Sequence, residues 1–311
     1  MKEIYWSLKI WLGVDNMSIG IIGAGKWGSA LAFALREKNN VVITSRTPRN
    51  LENFVSLEEA LTCKYLVITV PVQHVSRWLQ ENFVFQNQKI LVASKGIEAS
   101  SGRFLNEIYA EHVPSENIAF LSGPSFASEV MQSLPTALVV NAKNSLLAEE
   151  LSRLFPSFIK TYTSDDVVGA EVSGAYKNVI AIAAGICKGL VLGNNAAAAL
   201  IARGLVEMQR FGLFFGAKEE SFIGLSGAGD LFLTASSTMS RNFRVGLGLA
   251  KGQKQEEILK VLGEVAEGIG TAYALHELSL KHDLYLPIAR EVYFMLEGKN
   301  PHESLKDLLT N

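Results

Sequence analysis

Cysteine is nearly absent from this 311-residue chain, with Cys63 and Cys187 the only two. They stand far apart and form no C-x-x-C pair, which excludes a disulfide-stapled scaffold and a cysteine zinc site and fits a reducing compartment. Long apolar runs are missing as well. The stretch from Val179 to Cys187 stops at Lys188, and the alanine-rich stretch from Ala196 to Ala202 stops at Arg203. Both fall well short of the roughly 20 apolar residues a spanning helix needs. Charge of one sign does not dominate, since 29 basic side chains face 31 acidic ones without a long run of either. The broad electrostatic footprint of a nucleic-acid binder is therefore missing. No internal repeat or low-complexity tract occurs. None of the five histidines forms an H-E-x-x-H, no G-K-[ST] closes a P-loop, and Gly123-Pro124-Ser125 lacks the G-x-S-x-G nucleophile elbow. Together these absences predict a soluble cytoplasmic protein with no metal, no nucleic-acid partner and no integral membrane segment.

What is present is an ordinary globular composition, 48% apolar and 19% charged, far from that of disordered chains. At roughly 150 residues per domain, the length predicts two domains. Over residues 17–164, short β-branched runs alternate with helix-like segments, the pattern of a parallel sheet wrapped by helices. Strands are expected at Ser18 to Ile22, Val41 to Thr44, Tyr65 to Val70, Ile90 to Ala93, Ile118 to Leu121, Thr136 to Val140 and Ile159 to Thr163. Runs such as Leu66-Val67-Ile68 do not alternate, as follows when helices bury both faces of a sheet. Ser56 and Glu59 make an S-x-x-E capping box at one helix start.

Over residues 165–311 the β-branched runs give way to Ala- and Leu-rich helical patterns: Val172 to Cys187, Ala196 to Phe214, Arg241 to Lys251, Thr271 to Lys281 and Pro287 to Glu297. The expected fold class is α/β, a Rossmann-type doubly wound sheet followed by an all-α C-terminal domain. No Pro/Gly/Ser-rich linker marks the join, so the two halves should pack closely and share a cleft, a preferred place for a small molecule. Residues 1–16 precede this pattern. Their Trp6 and Trp11 alternate with Lys2, Glu3, Lys9 and Asp15, unlike a signal peptide. They read as an extension of unknown role, either an interfacial amphipathic helix or the product of a start codon upstream of Met17.

Gly23-Ala24-Gly25-Lys26-Trp27-Gly28 follows the first strand directly and opens a helix through Leu31 and Leu35. In this strand–loop–helix context Gly23 makes a tight turn, Gly25 lets the backbone approach a pyrophosphate, and Gly28 lets helix meet strand. The helix N-terminus offers unpaired N–H groups to the phosphates. The adenosine ribose is read at the end of the second strand, where Thr44, Ser45 and Arg46 stand. With no carboxylate to accept from a 2′-hydroxyl, and with Arg46 able to pair with a 2′-phosphate, NADP is expected to be accepted and preferred over NAD. The competing reading is that Arg46 is a solvated loop cation.

Three uncommon polar clusters lie beyond the loop: Ser94-Lys95-Gly96, Ser122-Gly123-Pro124-Ser125-Phe126 and Tyr176-Lys177-Asn178. The first two fall at strand C-termini, the edge where doubly wound sheets collect ligands. Lys177 is the only charge from Ala175 to Ala184. Desolvation there would disfavour its ammonium and make it a competent proton donor or acceptor, unless it snorkels to the surface. Two further clusters follow: Leu225-Ser226-Gly227-Ala228-Gly229-Asp230-Leu231, whose small residues are expected to turn the backbone tightly before Asp230, and Ser240-Arg241-Asn242. Arg241 and Asn242 supply a planar fork and an amide of the kind that binds phosphate.

The ordered set GAGKWG, SKG, LSGPSFASE, GAYKNVIAIAAG, RGLVEM, LSGAGDL, SRN and VAEG resembles the bacterial NAD(P)-dependent glycerol-3-phosphate dehydrogenase family. The likeness runs from Met17 nearly to the C-terminus. It implies interconversion of dihydroxyacetone phosphate and sn-glycerol 3-phosphate, the glycerophospholipid backbone, in a homodimer. By resemblance Lys177 is the proton-transfer residue. Lys95, Gly123, Ser125, Lys177, Asn178, Asp230, Ser240, Arg241 and Asn242 are substrate positions. Gly23, Gly25, Lys26, Trp27, Gly28, Arg46, Lys95, Ala127, Arg241, Val265 and Glu267 are cofactor positions. Lys26 departs from the family, where this loop position is often Ser. Two alternatives stand beside this reading: a related β-hydroxyacid-type dehydrogenase, against which Arg241 and Asn242 argue, and a non-catalytic dinucleotide sensor, which would need neither Lys177 nor Asp230.

Overall fold

The computed structural model describes residues 18–310, so residues 1–16 lie outside the described residues. The chain forms seven strands, β1 (Ser18–Ile22), β2 (Asn40–Thr44), β3 (Tyr65–Ile68), β4 (Lys89–Val92), β5 (Ile118–Ser122), β6 (Thr136–Asn141) and β7 (Ile159–Ser164). They make one sheet in the order β2-β1-β3-β4-β5-β6-β7. β3 is buried along its whole length, and separate apolar cores cover the two faces. Ile19, Ile21 and Val67 join the core of the Lys26–Leu35 helix, while Ile22, Leu66 and Ile68 join the opposite one. The unalternating apolar runs thus follow from burial on both sides.

The sheet is not wholly parallel, as the sequence pattern suggested. β5 and β6 pair antiparallel through Phe120 with Asn141, Leu121 with Val140 and Ser122 with Val139, and β7 runs parallel to β6. The connection over residues 123–135 carries only the one-turn Ala127–Val130 helix. A parallel return needs a crossover that spans the sheet, and this segment instead turns the chain back on itself. Asn141, buried at the reversal, donates to the Phe120 carbonyl and to Ser122 Oγ, each at 2.9 Å. Of the Ser56/Glu59 capping box, one half is present: Ser56 Oγ accepts from the Glu59 N–H at 3.2 Å.

β7 leads into a 23-residue helix, Val167–Gly189, that is longer at both ends than its Val172 to Cys187 core pattern. Asp166 caps it, accepting from the Gly169 N–H at 2.9 Å. A helix apolar on all sides belongs inside a protein, and this one is buried from Gly169 to Cys187. The helices Gly193–Phe214, Asp230–Ala235, Arg241–Ala250, Glu267–His282 and Pro287–Leu296 pack around it. Helices absent from the sequence reading, Glu219–Ile223, Asp230–Ala235, Gln255–Leu262 and Pro301–Thr310, are each at most 10 residues long, shorter than the window of about 11–18 residues over which helical periodicity stands out. Among the described residues no helix is long and apolar enough to cross a membrane. Cys63 and Cys187 are buried free thiols.

The two halves meet through polar as well as apolar contacts. Glu171, on the long helix, accepts from the Asn106 N–H at 2.9 Å, while its Oε2 is buried without a partner. Burial pushes its carboxyl up to about 8. A folded-state value above the unfolded one means that the stability held by the protonated form is complete below about pH 4.5 and is lost as pH rises toward 8. Glu171→Gln is therefore expected to flatten the fall of thermal stability between pH 5 and pH 8, with a gain on the order of 3 kcal/mol at the upper end. Thermal melts across that range check it, and parallel curves for the two proteins refute it.

Candidate active site

The site begins where β1 ends. Gly23 has φ +113°, a conformation that L side chains avoid, and Thr69 Oγ1 contacts the Gly23 carbonyl oxygen as donor at 3.0 Å from beneath. A Cβ on Gly28 would overlap that same carbonyl. Gly25 caps the Lys26–Leu35 helix without any side-chain acceptor, and the first turn holds no acidic residue. A Cβ on Gly25 would meet nothing within 4 Å. Unpaired N–H groups behind an open approach form a cradle that fits the pyrophosphate of a dinucleotide. Trp27 and Ala127, both part-buried, pack on one shared core beside it.

Three charged side chains converge at the seam between the sheet and the helices. Lys95 follows β4, Lys177 lies midway along Val167–Gly189, and Asp230 opens Asp230–Ala235. Lys177 Nζ donates to Asp230 Oδ1 at 2.6 Å and to Thr234 Oγ1 at 3.0 Å. Lys95 Nζ donates to Asp230 Oδ2 at 2.6 Å and, at 3.4 Å, to the Gly123 carbonyl. Lys177 is 8% exposed and Asp230 1%, so the snorkelling alternative for Lys177 does not hold. Burial, with Lys95 nearby, outweighs the Asp230 charge and brings the Lys177 amine down to about 8. For Asp230 burial alone would raise the carboxyl, but the two ammonium groups prevail and hold it below its usual range. One carboxylate bridging two cations leaves the cluster with a net positive charge.

The expected tight turn before Asp230 is instead a π-helical turn, Leu225–Gly229, that runs straight into the Asp230–Ala235 helix. Gly229 has ordinary right-handed angles, φ −59° and ψ −51°. The small residues serve close packing: a Cβ on Gly227 would collide with the Phe222 backbone. Single π-turns of this kind occur often at functional sites because they re-aim the next side chain, here Asp230.

The remaining sequence-derived positions divide into three groups. Ser125 Oγ donates to the Gly123 carbonyl at 3.3 Å, beside Lys95. Asn178, Ser240 and Asn242 carry structural bonds: Ser240 Oγ caps the Arg241–Ala250 helix, accepting from the Phe243 N–H at 3.2 Å. Asn242 Nδ2 donates to Asn178 Oδ1 at 2.8 Å, and Asn242 Oδ1 accepts from the Gly268 N–H at 3.0 Å. Arg241 pairs with Glu264 at 3.5 Å. Glu267 is half-buried with its Oε2 enclosed and unpartnered, and desolvation pushes its carboxyl up to about 7 against the lowering pull of Arg241. Arg46 and Val265 are exposed.

Residues 42–148 match the family pattern described as the NAD-dependent glycerol-3-phosphate dehydrogenase N-terminus, and residues 166–306 match its C-terminus. The chain is 72% identical over 293 residues to glycerol-3-phosphate dehydrogenase [NAD(P)+] of Sulfurimonas denitrificans, covering 94% of this chain and 99% of that one. The chain belongs to the glycerol-3-phosphate dehydrogenase family. The relative of the same name from Nitratiruptor is 59% identical over 94% of this chain and 98% of its own. The crystal structure of glycerol-3-phosphate dehydrogenase from Coxiella burnetii superposes with a TM-score of 0.87 at 32% identity, covering 95% of this chain and 99% of that one.

Three residues of the family member described here escaped the sequence reading. Thr234 lies four positions beyond Asp230 and so on the same helical face, a spacing that would have exposed it had that short helix been recognised. Thr69 fell inside the strand expected over Tyr65 to Val70, which ends at Ile68, and carries no motif. Glu264 has no local signal at all, because its partner Lys26 is 238 positions away.

Proposed function

We propose that this protein catalyses the reversible NAD(P)H-dependent reduction of dihydroxyacetone phosphate to sn-glycerol 3-phosphate, supplying the backbone of glycerophospholipids, with Lys177 as the proton donor. The observation that carries this reading is the buried Lys177–Asp230–Lys95 cluster on the edge of the sheet that also bears the glycine cradle. When bound, the reduced nicotinamide supplies the hydride to the ketone carbon. Negative charge then grows on the ketone oxygen, and the Lys177 ammonium stabilises it and transfers its proton there. An ammonium has three donors; Asp230 and Thr234 take two and aim the third. Lys95, tied to Asp230 and Gly123, orients the ketone from the other side. Arg241 holds the remote phosphate, whose binding positions the reacting carbon, and Asn242, fixed by Asn178 and Gly268, completes that pocket.

A dinucleotide sensor would have no use for a buried lysine and a part-buried one on a single buried aspartate, which is costly to keep unless function requires it. The exposed apolar residues Val206, Leu213 and Phe214 on the Gly193–Phe214 helix support a homodimer. The two free buried thiols accord with a reducing cytoplasm. Initial rates of NADPH and NADH oxidation on adding dihydroxyacetone phosphate test the activity and the cofactor preference together. Turnover with both cofactors and a higher kcat/KM for NADPH are expected, and no oxidation with either refutes the reading. Arg46→Ala is expected to lower kcat/KM for NADPH about tenfold more than for NADH; an equal loss for both assigns Arg46 no part in reading the 2′-phosphate.

A further inference from the structure

Glu264 ties together two residues from opposite sides of the cleft. Its Oε1 pairs with Lys26 Nζ at 2.5 Å and its Oε2 with Arg241 Nη1 at 3.5 Å. Lys26 is the first residue of the glycine-loop helix and Arg241 the first residue of Arg241–Ala250. Arg244, one turn further on, adds its field at the same carboxylate. Burial alone would raise the Glu264 carboxyl, yet these cations hold it below the usual range. Glu267, the other acid beside Arg241, is pushed up to about 7 by its burial and so carries only part of a negative charge near neutral pH. Three cations thus act on the Glu264 carboxylate, and two of them, Lys26 and Arg241, pair with it directly.

The placement of Lys26 is unfavourable in isolation. A cation at the first position of a helix opposes the macrodipole, which favours an anion there, and no acidic residue of that first turn compensates. Glu264 supplies the missing negative charge from the other half of the molecule, at the same helix end where a dinucleotide phosphate would sit. A carboxylate and a phosphate compete for these cations, and the phosphate carries the larger charge.

We propose that Glu264 is an internal stand-in for the phosphate of the dinucleotide: it pairs with Lys26 and Arg241 in the free protein, is displaced when the cofactor binds, and so sets the affinity of the site. This rests on the dinucleotide reading given above. Glu264 is a positioning residue, since it acts through the two cations. A carboxylate that merely strapped the halves together would, on removal, weaken binding or leave it unchanged, whereas a displaced stand-in makes binding tighter.

The test is a fluorescence titration of the full chain with NADPH and with NADH, for the wild type, Glu264→Gln, Lys26→Ser and the double variant. Glu264→Gln is expected to tighten Kd by about three- to tenfold, the scale of losing one or two partly exposed ion pairs. Lys26→Ser is expected to weaken binding, and in its background the gain from Glu264→Gln shrinks by about half or more. Unchanged or weaker binding in Glu264→Gln overturns the proposal, as does an undiminished gain in the double variant. Failure of the wild type to bind either dinucleotide overturns the underlying reading instead, so the two failures are told apart by the unmutated protein.

Discussion

Lys177→Met is expected to bind NADPH as the wild type does and to lose turnover by roughly two to four orders of magnitude, the scale of a lost general acid. Methionine is nearly isosteric and apolar, so it keeps the packing of the long helix while deleting the ammonium. Stopped turnover with normal cofactor fluorescence is the signature; near-normal turnover removes Lys177 from the chemistry. The wild type carries a matching pH dependence. Because the amine is brought down to about 8 by burial, the reduction, which needs the protonated form, slows as pH rises through about 8. The oxidation, which needs the free amine, speeds up through the same region. Profiles in the two directions that move together would contradict this assignment.

Asp230→Asn is expected to cost both stability and activity. The carboxylate pairs with Lys177 and Lys95 at 2.6 Å each and is itself 1% exposed. Its loss leaves two cations facing each other in a poorly solvated seam. Removing one partner of a buried pair destabilises by about 3–5 kcal/mol, which lowers the melting temperature clearly. With the attraction to Asp230 gone and the repulsion from Lys95 retained, the Lys177 ammonium is disfavoured further. The alkaline limb of the reduction profile therefore moves to lower pH in the folded fraction of this variant. A limb that stays where the wild type has it would show that Asp230 does not act as the counter-charge of Lys177, whatever the change in melting temperature. This shift distinguishes an electrostatic role from a structural one, since a structural role alone changes the amount of folded protein and not the position of the limb.

Much of the fold was legible residue by residue. Each of the seven strands was located to within two residues, because β-branched runs bounded by turn residues carry a strong local signal. The long helices were legible for the same reason, their apolar residues recurring at helical spacing. The reversal of β6 was not legible, because strand direction depends on how far a connecting segment reaches and residues 123–135 look much like any other loop. The π-helical turn at Leu225–Gly229 read as a tight turn, since the same small residues serve both. In the site, Lys177 stood out as a lone charge in an apolar run, but whether it faced solvent or the seam was open. Lys95 and Asp230 stood in separate polar clusters, and only the family resemblance joined them to Lys177 as substrate positions.

The sequence by itself determined the strands and the long helices, the glycine loop and the family, because each is written in short-range patterns of side chains. Only the tertiary structure decided that Lys177 is buried, that Asp230 lies between two lysines, and that Glu264 reaches Lys26 across 238 positions. The physical reason is range. Periodicity and turn chemistry act over a few residues, whereas a pKa, an ion pair and a cleft arise when the folded backbone brings distant charges within a few ångströms and excludes water from around them.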